Sequence, residues 1–471
     1  MPVVAGVDSS TGSTKVEVRD LDSGEVIASA AAPHPVTTPP RSEQDPAAWW
    51  SAFELAWAHV GTPDVAAISV AGQQHGMVAI DEAGDVIRPA KLWNDTECAP
   101  DAGWLLKQLP GGALDWVAAC GSVPVAAFTI AKLSWLHRSE PENWARLAHV
   151  LLPHDWMTYR LTGAMFTDRG EASGTGYWSA DTGEYCWDLL SIIDSARDWS
   201  HVVPHVLGPL EPAGTWGHAI VGAGTGDNMA AALGLNLQPG NAVMSLGTSG
   251  TAYTVHHQAT MDPTGAVAGF ADASGRFLPL VCTLNATRVT DAIARLLGVD
   301  HVGFDALAMA APLGSGGVTM LPYFDGERTP NRPKTTGSLV GLRSDASREQ
   351  LARAAVEGVV CGLLDGLDAL RAHVASVNRV ILVGGGSRSA SFRQVLADLC
   401  DLEVFVTDAS EVVATGACVQ AAAVLQEVEP SVVATRWGLG GCDQIVRSER
   451  ASADAAASVR AAYAALRDLM A

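Results

Sequence analysis

The chain has 471 residues, 48% hydrophobic and 17% charged, and its 51 acidic against 30 basic side chains leave a net charge of −21. That length calls for more than one hydrophobic core. The acidic surplus excludes a general attraction to nucleic acid or to an anionic membrane surface, so an anionic nucleotide would need a local site.

In chain order, Val3–Val7 is β-branched and apolar, Lys15–Arg19 alternates after a polar turn, and Glu25–Ala30 follows Asp22-Ser23-Gly24. This pattern predicts an antiparallel three-strand meander. Asp45-Pro46 starts a helix, with Trp49, Phe53, Trp57 and Val60 on one face,. Val65–Val70 is the next strand and ends in Gly72-Gln73-Gln74-His75-Gly76. The second half repeats the plan. Ala242–Leu246 and Thr251–His256 flank a hydroxyl-rich turn, and a long helix spans about Gln350–His373. Strand Arg379–Val383 then runs into Gly384-Gly385-Gly386, followed by a helix near Ser389, a strand at Glu403–Val406 and helices at Val412–Gln426 and about Ala451–Leu469. Strands alternating with helices, and one hairpin per half, predict two mixed α/β domains of similar plan. A loop at Gln238-Pro239-Gly240 puts the boundary between 1–236 and 237–471.

No run reaches the roughly 18 apolar residues of a membrane span. Met1–Gly6 has no basic start like that of a signal peptide,. Eight scattered cysteines with no paired spacing read as reduced thiols in a cytoplasm,.

Three features carry chemistry. Asp227 lies on the glycine-loosened loop Gly224-Thr225-Gly226-Asp227-Asn228, a lone carboxylate that suits a general base and equally an Asx turn or helix N-cap,. Gly247-Thr248-Ser249-Gly250 and Asp8-Ser9-Ser10-Thr11-Gly12-Ser13, the latter with Lys15 close behind, are hydroxyl and glycine turns inside hairpins. Their amides suit phosphate oxygens, and Asp8 could organise Mg²⁺ through its waters. Gln74 and His75, with Trp93, Asn94 and Asp95, are polar clusters at strand ends, where an indole face among donors and acceptors suits a polyol,. Each alone also fits a loop that satisfies its own backbone. Gly385 and Gly386 would let a flat ring approach the chain, although the run lacks the third glycine of a dinucleotide fingerprint,.

These residues, with Gly337-Ser338-Leu339-Val340-Gly341-Leu342 and Gly326-Glu327-Arg328-Thr329-Pro330, resemble the FGGY family of carbohydrate kinases from Val4 to about Gln426. Gly72-Gln73-Gln74-His75-Gly76, Leu92-Trp93-Asn94-Asp95 and Asp227-Asn228 resemble its ketopentose-phosphorylating branch. Ser10 replaces the glycine many members carry, and Gln74 stands where some members of that branch have Met. The resemblance implies two actin-like, ribonuclease H-like domains with an interdomain catalytic cleft, the first for sugar and the second for ATP. It further implies Asp227 as base and Asp8 as the Mg²⁺ carboxylate. Thr11, Gly12, Lys15, Gly247, Thr248, Gly385 and Gly386 would hold the nucleotide, and Gln74, His75, Trp93, Asn94, Asp95 and Asn228 the sugar. A homodimer accords with the family. The same residues also fit a kinase of another polyol, such as ribulose, an alditol or a gluconate-like acid, and two other classes share the paired turns: an actin-fold ATPase with a scaffolding role, and a non-catalytic sugar sensor.

Overall fold

The computed structural model describes residues 2–374, 376–407, 409, 411–448 and 451–470. The chain forms two compact units that interleave in sequence. Residues 256–278 and 411–440 belong with 1–237, while 238–255, 279–410 and 441–471 form the second unit.

In the first unit, β1 (Val3–Ser9), β2 (Ser13–Asp20) and β3 (Val26–Pro33) make the expected meander. Beyond it come β4 (Ala67–Gly72), β5 (Pro212–Trp216), β6 (Ala219–Gly222) and the two-residue β7 (Thr225–Gly226). The sheet order is β5-β6-β4-β1-β2-β3, with β7 also pairing β4. β4 runs parallel to β1, so Asp8 and Ser9 lie beside Ala71 and Gly72, and β7 brings Thr225 and Gly226 beside the same residues. This register places the ends of β1, β4 and β7 side by side, and the side chains that matter lie just beyond them. Asp45 caps the helix Pro46–His59 by accepting from Ala47 N–H, and Trp49 and Phe53 on its inner face are buried.

The second unit repeats the plan. β8 (Asn241–Leu246), β9 (Gly250–Thr254) and β10 (Phe277–Thr283) are antiparallel, and β11 (Arg379–Val383) and β12 (Glu403–Val406) continue the sheet in parallel beside β8. β13 (Asp443–Ile445) closes the far edge antiparallel to β12. Three antiparallel strands followed by parallel ones, built twice, are the two ribonuclease H-like domains expected. The long helix runs Arg348–His373 and opens with a capping box between Ser347 and Gln350,.

The helix Val412–Gln426 packs within the first unit, whereas the strand before it, β12, belongs to the second. Small residues allow this. A Cβ on Gly6 would lie 2.2 Å from the Ala414 carbonyl oxygen, and one on Gly416 would lie 1.8 Å from that of Ala230. Backbone therefore meets backbone behind the helix that carries Asp227. All eight cysteines are free thiols. Among the described residues, no helix is long and apolar enough to cross a membrane.

Candidate active site

Asp227 is the first residue of the helix Asp227–Gly234, and the preceding Gly226 makes no side-chain cap. Its Oδ1 accepts from Asn228 N–H at 2.7 Å and from Asn228 Nδ2 at 2.8 Å. The same Nδ2 donates to Gln74 Oε1 at 2.8 Å, joining the loop at the end of β4 to the Asp227 loop. That loop is pinned from two further sides. Gln420 Nε2 donates to the Gly224 carbonyl at 3.0 Å, and Thr225 Oγ1 donates to Asp168 Oδ2 at 2.7 Å. Burial pushes the Asp227 carboxyl up to about 6, against the pull of its two bonds from Asn228.

Asp8, at the end of β1, is close enough to Asp227 for the two to repel. Burial first, and the Asp227 charge second, raise its carboxyl to about 7, with Lys15 opposing. Its Oδ1 is buried without a protein hydrogen-bond partner. Two close carboxylates and an unsatisfied oxygen suit a hydrated divalent cation at Asp8. Lys15 is ion-paired with Glu411.

The first turn is occupied by the protein itself. Thr11 Oγ1 donates to Gln73 Oε1 at 3.1 Å and accepts from Trp93 Nε1 at 2.9 Å, while Gln44 Nε2 donates to the Thr11 carbonyl at 3.0 Å. Gly12 stays open, since a Cβ there would meet nothing within 4 Å. The structure thus joins the tryptophan read as a sugar contact to the threonine read as a phosphate contact. His75 adopts a left-handed φ of 66° and packs between Phe128 and Phe270, with ring centroids 5.1 and 5.3 Å away. Asn94 Oδ1 is buried without a hydrogen-bond partner.

Asp95 is placed differently from its neighbours. It is fully buried, and its oxygens accept from Ser42 N–H, Lys91 Nζ and Glu97 N–H at 2.9, 3.1 and 3.1 Å. It clamps the loop that carries Trp93. Facing oxygens of Glu43, Asp95 and Glu97 lie within 4.8 Å of one another, a spacing that could suit a cation, but the Lys91 ammonium sits among them.

In the second unit the turn is open. Thr248 is exposed, and the Gly247 and Thr248 carbonyls accept from Thr287 N–H and Ala286 N–H at 3.0 and 3.3 Å. These bonds seat the start of the helix Thr287–Leu297 against the turn. Gly384 has φ 88°, and a Cβ there would lie 2.6 Å from the Leu246 carbonyl oxygen. Gly385 faces open space, and Gly386 packs against Leu246 and Thr287. Gly247, Thr248, Gly385 and Gly386 therefore converge. A cavity of about 530 Å³ flanks this helix, lined by Arg288, Asp291, Arg295, Phe324 and Asp325 among others.

His154, Asp155, Asp168 and Glu171 were not singled out in the sequence, yet all four are buried directly behind the Asp227 loop. Their only sequence signals are the helix starts Pro153-His154-Asp155 and Asp168-Arg169-Gly170-Glu171, where Asp155 and Asp168 accept backbone N–H bonds in the capping manner.

Two sheets of one plan, with a carboxylate pair in one unit and an open hydroxyl and glycine turn in the other, define a two-domain carbohydrate-kinase fold. The N-terminal domain model of the FGGY family of carbohydrate kinases matches residues 3–234, and the C-terminal domain model of the same family matches residues 242–425. The chain belongs to the FGGY family of carbohydrate kinases. It is 46% identical over 448 residues to the xylulose kinase of Streptomyces coelicolor, covering 93% of this chain and 91% of that one. The solved xylulose kinase of Bifidobacterium adolescentis matches with a TM-score of 0.86 at 40% identity, over 99% of each chain. A gluconate kinase from Lactobacillus acidophilus has a TM-score of 0.89 at 22% identity, covering 99% of this chain and 97% of its own, and shares the fold alone.

Proposed function

We propose that this kinase transfers the γ-phosphoryl group of ATP to the primary alcohol of D-xylulose, giving D-xylulose 5-phosphate and ADP. The fold does not choose the sugar, because a gluconate kinase has it too. The choice rests on the xylulose kinases that match this chain almost end to end. The first unit is the sugar-binding domain and the second the nucleotide-binding domain.

The observation that carries the mechanism is Asp227. A carboxyl raised to about 6 is mostly ionised at neutral pH, yet it is more basic than an ordinary aspartate,. As the sugar oxygen attacks the γ-phosphorus, Asp227 accepts the hydroxyl proton, the new P–O bond forms, and the bond from the γ-phosphorus to the bridging oxygen breaks with its electron pair leaving on ADP. Asn228 holds Asp227 in orientation and ties it to Gln74. Gln74, His75, Trp93 and Asn94 shape the sugar site, with Asp95 fixing the loop. Gly12 and Thr11 in the first unit, and Gly247 and Thr248 in the second, each line a turn suited to phosphate oxygens, and preorganised donors do much of the work in phosphoryl transfer. Lys15 adds a cation that can exchange Glu411 for phosphate. Gly385, Gly386 and the cavity beside Arg288 and Phe324 take the nucleoside. Asp8 would hold Mg²⁺, which when bound neutralises phosphate charge. Its eight free thiols accord with action in the cytoplasm.

Asp227→Asn should fold normally and lose turnover by about two to four orders of magnitude, the usual worth of a positioned base. Retention of near-wild-type turnover would remove Asp227 from the chemistry. Comparing kcat/KM across D-xylulose, D-ribulose, alditols and gluconate tests the sugar, with D-xylulose expected to lead.

A further inference from the structure

His154 is completely buried, and three carboxylates surround it. Its Nε2 lies 3.2 Å from Asp155 Oδ1 and 3.7 Å from Asp168 Oδ1, and its Nδ1 lies 3.9 Å from Glu171 Oε2. Among the described residues, no lysine or arginine is ion-paired with any of the three acids. Asp155 comes from the same helix, Asp168 and Glu171 from the segment opposite, Tyr177 neighbours Asp155, and Asp227 lies near enough to Glu171 to repel it. Burial pushes Asp155 up to about 7, raises Asp168, and drives Glu171 well above the carboxylate range.

The cluster also touches both stretches of backbone that build the sugar and base sites. A Cβ on Gly72, at the end of β4, would lie 2.9 Å from His154 Cβ. One on Gly224, where φ is 79°, would lie 2.4 Å from His154 Cδ2, and one on Gly226 would lie 2.6 Å from Glu171 Oε1. Asp168 meanwhile accepts the Thr225 hydroxyl. The imidazole therefore sits where the strand leading to Gln74 and His75 meets the loop leading to Asp227.

We propose that His154 is a positioning residue for phosphoryl transfer, a buried imidazole ring that fills the space between Gly72 and Gly224 and, with Asp155, Asp168 and Glu171 around it, fixes the Gly72 and Gly224–Gly226 backbone on either side of the site. The inference rests on the reading of Asp227 as the base. His154 does not reach the substrate; it acts through Asp168, Thr225 and Glu171.

The test is steady-state kinetics of the full chain with D-xylulose and MgATP for His154→Gln, His154→Lys, Asp227→Asn and the double variant His154→Gln/Asp227→Asn. Circular dichroism establishes that each is folded. A displaced catalytic group can cost on the order of 100-fold, so His154→Gln should lower kcat by about 10- to 100-fold while leaving the KM for ATP in place. His154→Lys, which replaces the packed ring with a flexible chain, should be about as impaired as His154→Gln. On the Asp227→Asn background the His154→Gln change should cost less than about threefold more, because residues acting as a unit are not additive. A folded His154→Gln with kcat within about twofold of wild type overturns the proposal. So does a His154→Lys with near-wild-type kcat, or a full multiplicative loss in the double variant. If His154→Gln does not fold, Thr225→Val removes only the bond to Asp168. It should lower kcat by about 2- to 10-fold, the net worth of an ordinary hydrogen bond, and an unchanged kcat overturns the proposal. Near-wild-type turnover in Asp227→Asn alone would instead overturn the assignment of the base.

Discussion

Around Lys91, an ammonium lies 3.0, 3.1 and 2.7 Å from Glu43, Asp95 and Glu97, and Arg88 and Arg41 add their own pairs to Glu43 and Glu97. Around His154, three carboxylates lie 3.2, 3.7 and 3.9 Å away without a further cation paired to them among the described residues. Both sets are three acids about one nitrogenous side chain within the same unit. In the first, the charges are settled: hydrogen bonds from Arg41 and then Lys91 hold Glu97 below the ordinary range. In the second, burial outweighs the available pairing, and Glu171 and Asp155 are raised. A balanced cluster is a structural clamp, here on the loop that carries Trp93. A cluster packed against the backbone of a catalytic loop holds that backbone through close contacts instead, here at Gly72 and Gly224.

The largest effect should come from breaking the balanced cluster. Lys91→Met leaves Asp95 buried without its cation, and loss of one partner of a buried pair costs about 3–5 kcal/mol. Chemical denaturation should show that loss, while kcat measured well below the new melting temperature stays within a few-fold. A variant that kept its stability and lost its turnover would place the Lys91 cluster in the chemistry and erase the contrast.

The carboxylate that the second cluster helps to hold should show the opposite sign. The folded Asp227 carboxyl is raised to about 6 from an ordinary 3.8, so the folded state binds that proton more tightly than the unfolded chain does. Wild type therefore loses stability as pH rises between those two values, and the penalty stays constant above them. Asp227→Asn carries no charge at any pH. Its melting temperature relative to wild type should climb from about pH 4 to about pH 6 and then level off, a gain of a few degrees. Melting curves taken without metal or nucleotide across that range check it. A difference that is flat with pH would mean that the folded protein does not disfavour the Asp227 charge.

The two clusters also mark where the sequence can and cannot be read. The hairpins were legible because hydroxyl and glycine turns interrupt alternating strands, and the Asp227 loop because Gly224 and Gly226 precede the carboxylate. Asp95 looked like a sugar contact since it follows Trp93 at a strand end. The signal against that was Lys91 four residues earlier, but a single i, i+4 pair says nothing of burial. His154, Asp168 and Glu171 were illegible because each alone reads as an ordinary helix start, and they become a cluster only when β4, β7 and two helices meet. The helix Val412–Gln426 was found at the right place in the chain. That it packs behind Asp227 depends on Gly6, Gly234 and Gly416 meeting backbone across long sequence separations, for which local pattern holds no cue.

The smallest effect tests what the balanced cluster is for. If Asp95 and Lys91 exist to fix the Trp93 loop, the position of the indole should matter more than its bulk. Trp93→Phe keeps an aromatic face and removes the N–H that Thr11 Oγ1 accepts at 2.9 Å. A lost hydrogen bond of this kind is worth about 0.5–1.5 kcal/mol, which converts to a fall of about 2- to 10-fold in kcat/KM for the sugar. Thr11→Val removes the same bond from the other side, so the double variant should lose less than the product of the two single losses. Fully multiplicative losses would show that Trp93 and Thr11 act independently, one on the sugar and one on the phosphate, and that the bond between them is incidental.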